Sequence, residues 1–314
     1  MQIVIMEPLG ISEEKLRLLK EPFEAQGHTF KEYAKSSDES ILISQAKDAD
    51  VIILANMPLP LRVLAACEHL RYINVAFTGV DHIPVAAAKA RGIQISNASG
   101  YSTEAVSELG VGLAIDLMRN VPKTEQRCRA GMTKEGLIGS ELKGKTVGIV
   151  GLGKIGSRSA ALFHAFGCRI LATSRTLHPD VPEYIWQVSL EKLLSLSDIV
   201  LLHCPLNDST RGMIDSNALK HMKPSSYLIN LARGPVVNSK DLTEALNRGI
   251  IAGAAIDVFD QEPPIPASEP LLSAPNTILT PHIAFATKES MELRAEIVFG
   301  NLRCWMEGFP INLI

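Results

Sequence analysis

The stretch Thr146-Val147-Gly148-Ile149-Val150-Gly151-Leu152-Gly153-Lys154-Ile155-Gly156 decides the fold. Its first five residues make an apolar run of strand length, Gly151 to Gly156 has the spacing GxGxxG, and a helical pattern follows at once. In that context Gly151 permits a tight turn, Gly153 lets backbone N–H groups approach a pyrophosphate, and Gly156 lets the helix pack close to the strand. The positive end of the helix then faces the anion. Such a motif alone is also compatible with a glycine-rich turn. The strand before it, the helix after it and the βα units behind it favour a dinucleotide site.

Outward from this stretch, short β-branched runs alternate with longer amphipathic segments along the chain, the pattern of parallel sheets covered by helices on both faces. Strands are predicted at 2–6, 28–33, 50–54, 71–75 and 92–96. A second series is predicted at 145–150, 169–173, 199–204, 227–231, 251–258 and 277–280. The expectation is an α/β protein of two doubly wound parallel-sheet domains, the second with the six strands of a dinucleotide-binding sheet. Val106, Leu109, Leu113, Ile115 and Leu117 recur at near-helical spacing and predict one long connecting helix over Tyr101–Arg129. Another helical period runs from Thr287 to Trp305, with few residues after it. No repeats or low-complexity segments interrupt the pattern.

Composition narrows the function classes. The 314 residues carry 31 Lys+Arg against 34 Asp+Glu, a formal charge of −3, which argues against a polyanion such as nucleic acid as the partner. With 46% hydrophobic and 21% charged residues the chain is expected to bury a substantial core. No apolar run is long enough to span a bilayer, so no membrane partner is expected. Gln2 to Met6 is followed by Glu7 and Pro8 and reads as a first strand, not a signal peptide. The five cysteines (67, 128, 168, 204 and 304) are scattered and never spaced CxxC, which suggests reduced thiols in a cytoplasm and no metal site.

The second strand of the later series ends at Thr173-Ser174-Arg175-Thr176, where an NAD site would place a carboxylate for the adenosine 2′-OH. No acid stands there, and Asp180 is too far along. A carboxylate would repel a 2′-phosphate, whereas a hydroxyl beside a guanidinium can bind it, so Ser174 and Arg175 lean towards NADP. The alternative is a solvated Arg175 and use of NAD. Three further segments put ionisable residues at or after predicted strand ends, the rim where open α/β sheets hold ligands. They are Asn230-Leu231-Ala232-Arg233-Gly234-Pro235, Asp257-Val258-Phe259-Asp260-Gln261-Glu262-Pro263 and Thr280-Pro281-His282-Ile283-Ala284. An Arg, a Glu and a His converging there would suit hydride chemistry on a 2-keto or 2-hydroxy acid. The guanidinium fork clamps a carboxylate, a histidine passes the hydroxyl proton, and a nearby carboxylate supports the imidazolium.

With these segments in view, the whole chain resembles the D-isomer-specific 2-hydroxyacid dehydrogenase family, with glyoxylate and hydroxypyruvate reductases among its members. The resemblance implies that Arg233 binds the substrate carboxylate and carbonyl oxygen, that Glu262 orients and charges His282, and that His282 donates the proton in reduction. It implies a substrate loop at Phe77-Thr78-Gly79-Val80-Asp81, with Gly79 and Val80 as backbone donors beside Thr78. Cofactor contacts are implied at Gly151, Leu152, Gly153, Lys154, Ile155 and Gly156, at Ser174, Arg175 and Thr176, and at Cys204, Pro205, Thr210, Ala232 and His282. Asp257 is implied as the partner of the nicotinamide end. The resemblance further implies a flavodoxin-like substrate domain at 1–98 and 286–314, a Rossmann nucleotide-binding domain at 99–285, a crossing near Ser102–Glu108, a cleft between the domains, and a two-fold homodimer. A nucleotide-sensing corepressor of the same family is the alternative from another class, and the absence of an extended tail after the last helix gives it little support.

Some positions depart from the family pattern. Asn238 stands where many relatives have Asp, Ser107 where alanine is usual, and Ser174-Arg175 replaces the commoner Asp-containing pair. Phe285 hints at an apolar pocket wall. Glu262 separates the chain from the formate-oxidising branch, which carries glutamine. His28, His69, His164, His178 and His221 show no partner spacing and read as structural, while His82 and His203 adjoin site segments and fit a cleft wall. Met57-Pro58-Leu59 reads as an apolar turn or a substrate contact, and Trp186 and Trp305 as core or interface residues.

Overall fold

The computed structural model describes residues 1–176 and 179–314, so His178 lies outside the described residues. The chain forms two compact units, Met1–Ser102 with Ala286–Ile314, and Thr103–Phe285. The first holds strands β1 (Gln2–Ile5), β2 (Thr29–Glu32), β3 (Val51–Leu54), β4 (Tyr72–Val75) and β5 (Gln94–Asn97). Between them run α1 (Glu13–Glu24), α2 (Glu39–Ala46), α3 (Leu61–Ala66) and α4 (Val85–Ala90). The sheet is parallel throughout, in the order β2-β1-β3-β4-β5, which is the flavodoxin order. Val51–Leu54 is buried at every residue, as expected of a central parallel strand covered on both faces.

The second unit opens with α5 (Thr103–Arg119) and α6 (Val121–Arg129), where the sequence predicts one helix. Asn120 breaks it with a left-handed φ of 53°, a conformation asparagine tolerates, and Pro122 fits the first turn that follows because it has no N–H to lose. Then come β6 (Thr146–Val150), α7 (Lys154–Ala165), β7 (Arg169–Thr173), β8 (Ile185–Gln187), α8 (Leu190–Leu196) and β9 (Ile199–Leu202). They are followed by α9 (Ser216–His221), β10 (Tyr227–Asn230), α10 (Ser239–Asn247), β11 (Gly253–Ile256) and β12 (Thr277–Leu279). Seven parallel strands lie in the order β12-β11-β10-β9-β6-β7-β8, the doubly wound dinucleotide-binding order with one strand more than the expected six. The addition is β8, a three-residue edge strand whose Trp186 is 64% exposed within the chain.

Small residues set the layer spacing in this unit. A Cβ on Gly110 of α5 would sit 3.0 Å from Leu201, and one on Gly148 of β6 would sit 2.4 Å from both Leu193 and Ser197 of the α8 region. The helices therefore ride close on the sheet, over a core that includes Val147, Ile149, Phe163, Ile199, Leu201 and Ile229. Burying each large apolar side chain contributes roughly 1.5–3 kcal/mol. Asn238 caps α10, accepting from the N–H groups of Lys240 and Asp241 as an aspartate would.

The last helix, α11 (Lys288–Met306), is capped by Thr287 and Ser290 in a reciprocal box and belongs to the first unit. Its Trp305 stacks on Tyr72 with ring centroids 4.7 Å apart. The final residues bridge antiparallel to β5, with Ser96 opposite Leu313.

Candidate active site

All three rim segments lie at the C-terminal ends of adjacent strands β10, β11 and β12. The loop after β10 is shaped by Asn230, whose side chain accepts from Ala232 N at 3.1 Å and donates to Arg233 O at 3.0 Å. Gly234 then touches the segment after β11, where a Cβ would fall 2.0 Å from the Phe259 carbonyl carbon. Only glycine lets the Arg233 loop approach the Glu262 loop this closely. The guanidinium of Arg233 donates to its neighbour's carbonyl, Ala232 O, at 2.9 Å.

The His282 loop is held from beneath by Asp257. His282 has φ 57°, which costs a residue with a Cβ roughly 1–2 kcal/mol. Its N–H donates to Asp257 O at 2.7 Å, while the Asp257 carboxylate accepts from Thr280 Oγ1 (2.6 Å), Ile283 N (2.8 Å) and Ala284 N (2.9 Å). Four bonds to one residue over-determine the turn. Asp257 is fully buried, and both of its carboxylate oxygens hold the loop that carries His282.

The turn brings His282 Nδ1 to 2.7 Å from Glu262 Oε2. The imidazole is only 9% exposed, and its carboxylate partner is 43% exposed. Phe285 packs edge-to-face on the imidazole with centroids 5.2 Å apart.

At the same sheet edge, the glycine loop joins β6 to α7. Gly151 has φ 99° and donates its N–H to Thr173 O at 2.8 Å, and a Cβ on it would strike Cys204 N at 2.7 Å. A Cβ on Gly156 would lie 2.0 Å from Gly151 O, whereas one on Gly153 meets nothing within 4 Å. The outer glycines are thus required by packing, and the middle one leaves open room before the first turn of α7, which has no side-chain cap. That cradle fits a dinucleotide pyrophosphate. Leu152 is buried in the core beneath it, and Ser107, on α5, donates to Ile155 O at 3.2 Å.

Other predicted cofactor positions have structural roles here. Ser174 Oγ donates to Thr176 O at 2.6 Å, closing a local turn, and Arg175 is exposed. Thr210 donates to Pro205 O at 2.7 Å and accepts from Asn207 N at 2.9 Å. Cys204 is buried, with its thiol pushed up to about 11 by burial. In the first unit, Thr78 of the Phe77–Asp81 loop accepts at its carbonyl from Asn97 Nδ2 at 2.7 Å. Met57 and Leu59 are buried, as an apolar turn requires.

Sequence reasoning missed Glu7. Its buried carboxylate accepts from both Ala55 N and Met57 N at 2.8 Å and holds the turn after β3. The only signal was an acid placed directly after an apolar strand. Among the described residues no group of three or more His, Cys, Asp or Glu can hold a metal, and no helix is long and apolar enough to cross a membrane.

A doubly wound sheet, a glycine cradle and a paired histidine on the neighbouring rim define a nicotinamide-dependent oxidoreductase. Residues 111–284 match the NAD-binding domain model of D-isomer specific 2-hydroxyacid dehydrogenases. The chain is 38% identical to a glyoxylate reductase of Thermofilum pendens, over 95% of this chain and 90% of that one. It is 34% identical to a hydroxypyruvate reductase of Blautia hydrogenotrophica, over 88% of each. Among solved structures, the acyclic imino acid reductase Bsp5 in complex with NADPH and D-Arg superposes with a TM-score of 0.92 at 25% identity, covering all of both chains. The chain belongs to the D-isomer specific 2-hydroxyacid dehydrogenase family. It is an enzyme acting on small 2-keto or 2-hydroxy acids with a nicotinamide cofactor.

Proposed function

We propose that the enzyme reduces a small 2-keto acid of the glyoxylate, hydroxypyruvate or pyruvate type, using NADPH in preference to NADH and giving the D-hydroxy acid where the product is chiral. The observation that carries this reading is the 2.7 Å pair of His282 and Glu262, set on a clamped turn beside the Arg233 loop and at the same sheet edge as the glycine cradle. The reduced nicotinamide, when bound, supplies the hydride to the carbonyl carbon. Arg233 fixes the substrate carboxylate and polarises the carbonyl oxygen, and the loop at Thr78, Gly79 and Val80 adds backbone N–H groups to that carboxylate. His282 gives the carbonyl oxygen its proton through Nε2, and Glu262 orients the ring through Nδ1. The hydride and the proton together convert the ketone to the alcohol.

On the cofactor, Gly151 to Gly156 would hold the pyrophosphate, with Cys204, Pro205, Thr210 and Ala232 lining its path. Ser174, Arg175 and Thr176 would meet the adenosine end. An exposed guanidinium and a hydroxyl, with no acid at the end of β7, favour a 2′-phosphate. The scattered spacing of the five cysteines, never CxxC, supports a cytoplasmic enzyme, and the family reading a homodimer.

A panel of 2-keto acids, with NADPH or NADH oxidation followed by absorbance, tests the proposal. Turnover of at least one small 2-keto acid is expected, with kcat/KM higher for NADPH. Arg175→Ala should cut kcat/KM for NADPH about 10-fold or more while leaving NADH nearly unchanged. Equal use of both cofactors by the wild type would overturn the NADP preference, and no turnover of any keto acid would overturn the whole reading.

A further inference from the structure

We propose that a chain of buried asparagine amides aims the Phe77–Asp81 loop, so that Asn97 and Asn301 are positioning residues for binding of the substrate carboxylate. The inference rests on the reading of that loop given above. It starts from residues that a parallel α/β core has little reason to contain. Asn74 lies in the middle of β4, Asn97 ends β5 and Asn301 is in α11; all three are buried, and asparagine is depleted in strands. Apolar residues of similar size would fill these places without needing partners. Each of these amides, however, is bonded at both its oxygen and its nitrogen.

Asn74 Nδ2 donates to Val298 O at 2.7 Å. Asn301 Nδ2 donates both to Asn74 Oδ1 (3.3 Å) and to Asn97 O (2.9 Å), and its Oδ1 accepts from Asn312 Nδ2 (2.8 Å). Asn97 Oδ1 accepts from Ser99 N at 3.2 Å, and its Nδ2 donates to Thr78 O at 2.7 Å. The next residue, Ala98, donates its N–H to Phe77 O at 3.0 Å. A buried network in which each amide is held at both ends is rigid, and so transmits position.

Planarity of the peptide converts that position into direction. The Thr78 carbonyl and the Gly79 N–H belong to one trans peptide and point opposite ways. Anchoring Thr78 O to Asn97 therefore aims Gly79 N–H away from Asn97, and the Phe77 anchor fixes the preceding peptide in the same manner. Thr78 Oγ1 in this loop is buried and, among the described residues, has no hydrogen-bond partner. The loop is held by its carbonyls, which leaves its amide direction as the quantity the asparagines control.

Asn97→Asp keeps the shape and the acceptor for Ser99 N but removes the donor to Thr78 O. In the full-length enzyme it should raise KM for the best 2-keto acid about 10-fold or more, with KM for the reduced cofactor unchanged within twofold. A purely structural role would lower the melting temperature or the active fraction without moving KM for the keto acid alone. A keto-acid KM within twofold of wild type overturns the inference. Should Asn97→Asp fail to fold, Asn97→Ser removes the same donor without adding charge and is judged by the same two outcomes. Hydrogen exchange on the wild type separates this inference from its premise. Oxamate, a 2-keto acid isostere, with reduced cofactor should protect the Gly79 and Val80 amides. Unprotected amides would refute the loop reading and the inference with it, whereas protected amides with an unmoved KM in the variant would refute the asparagine chain alone.

Discussion

His282 and His203 both follow parallel strands of the seven-stranded sheet, and each bonds another side chain through one ring nitrogen. His282 meets a half-exposed carboxylate, Glu262, at 2.7 Å through Nδ1. His203 meets the hydroxyl of the buried Ser159 at 3.0 Å through Nε2, and its Nδ1 is enclosed with no partner among the described residues. Burial alone pushes the His203 imidazole down to about 4, so it is neutral across the working range of most enzymes. On the proposed function, the contrast separates a proton-carrying imidazole from a structural one by its partner: a carboxylate that welcomes positive charge against a neutral hydroxyl. With a neutral partner in an enclosed site, the same ring is a spacer between β9 and α7. The backbone of His203 also lies against Gly151 of the glycine cradle.

The sharpest way to break this contrast is to remove each ring in turn. His282→Ala is expected to lower kcat about 1,000-fold while cofactor binding, followed by fluorescence of the reduced nicotinamide, stays within twofold. Glu262→Gln keeps a hydrogen-bond acceptor but removes the charge, and its loss of kcat should be smaller, on the order of 100-fold. Normal turnover by His282→Ala would remove that residue from the chemistry and leave the rim without a proton donor.

The strands were legible because buried parallel strands read as apolar runs, as in Val51–Leu54 and Ile199–Leu202, and the cofactor loop because its glycine spacing is demanded by contacts as short as that of Gly156 on Gly151. The juxtaposition of Glu262 and His282 was legible only as two segments ending on one sheet rim, since their separation in sequence has no local period, and their individual roles came from the family resemblance. Other features left little trace. The edge strand β8 is three residues long, and the break at Asn120 depends on one left-handed residue. Asp257 sits in the same motif whether its carboxylate meets a ligand or its own loop. The asparagine chain joins residues 74, 97, 301 and 312, which no pattern along the sequence associates.

His203 makes a prediction of the opposite kind, in stability and not in rate. Its folded-state pKa is depressed from 6.5 to about 4, so the unfolded chain binds the proton more tightly. The stabilisation associated with the neutral ring is fully present above about pH 6.5 and is lost as pH falls towards 4, a change of roughly 3 kcal/mol. Chemical denaturation of wild type and His203→Gln across that range should show the wild type losing this much more stability than the variant. Parallel curves would mean that the ring is not held neutral by burial.

The smallest effect belongs to Ser159→Ala, which takes the partner from His203 and leaves its neighbours in place. An enclosed polar group without its hydrogen bond costs about 1–3 kcal/mol. Because Ser159 lies within α7, where alanine favours the helix slightly, the net loss should fall near the lower end, about 1 kcal/mol. KM for the keto acid and kcat should not move, since neither Ser159 nor His203 is asked to touch the reacting atoms. KM for the reduced cofactor is the discriminating quantity. If it stays within twofold, the Ser159–His203 pair is a spacer for the fold alone. If it rises while kcat holds, the spacing of β9 and α7 governs the shape of the glycine cradle, and His203 serves the cofactor through the fold.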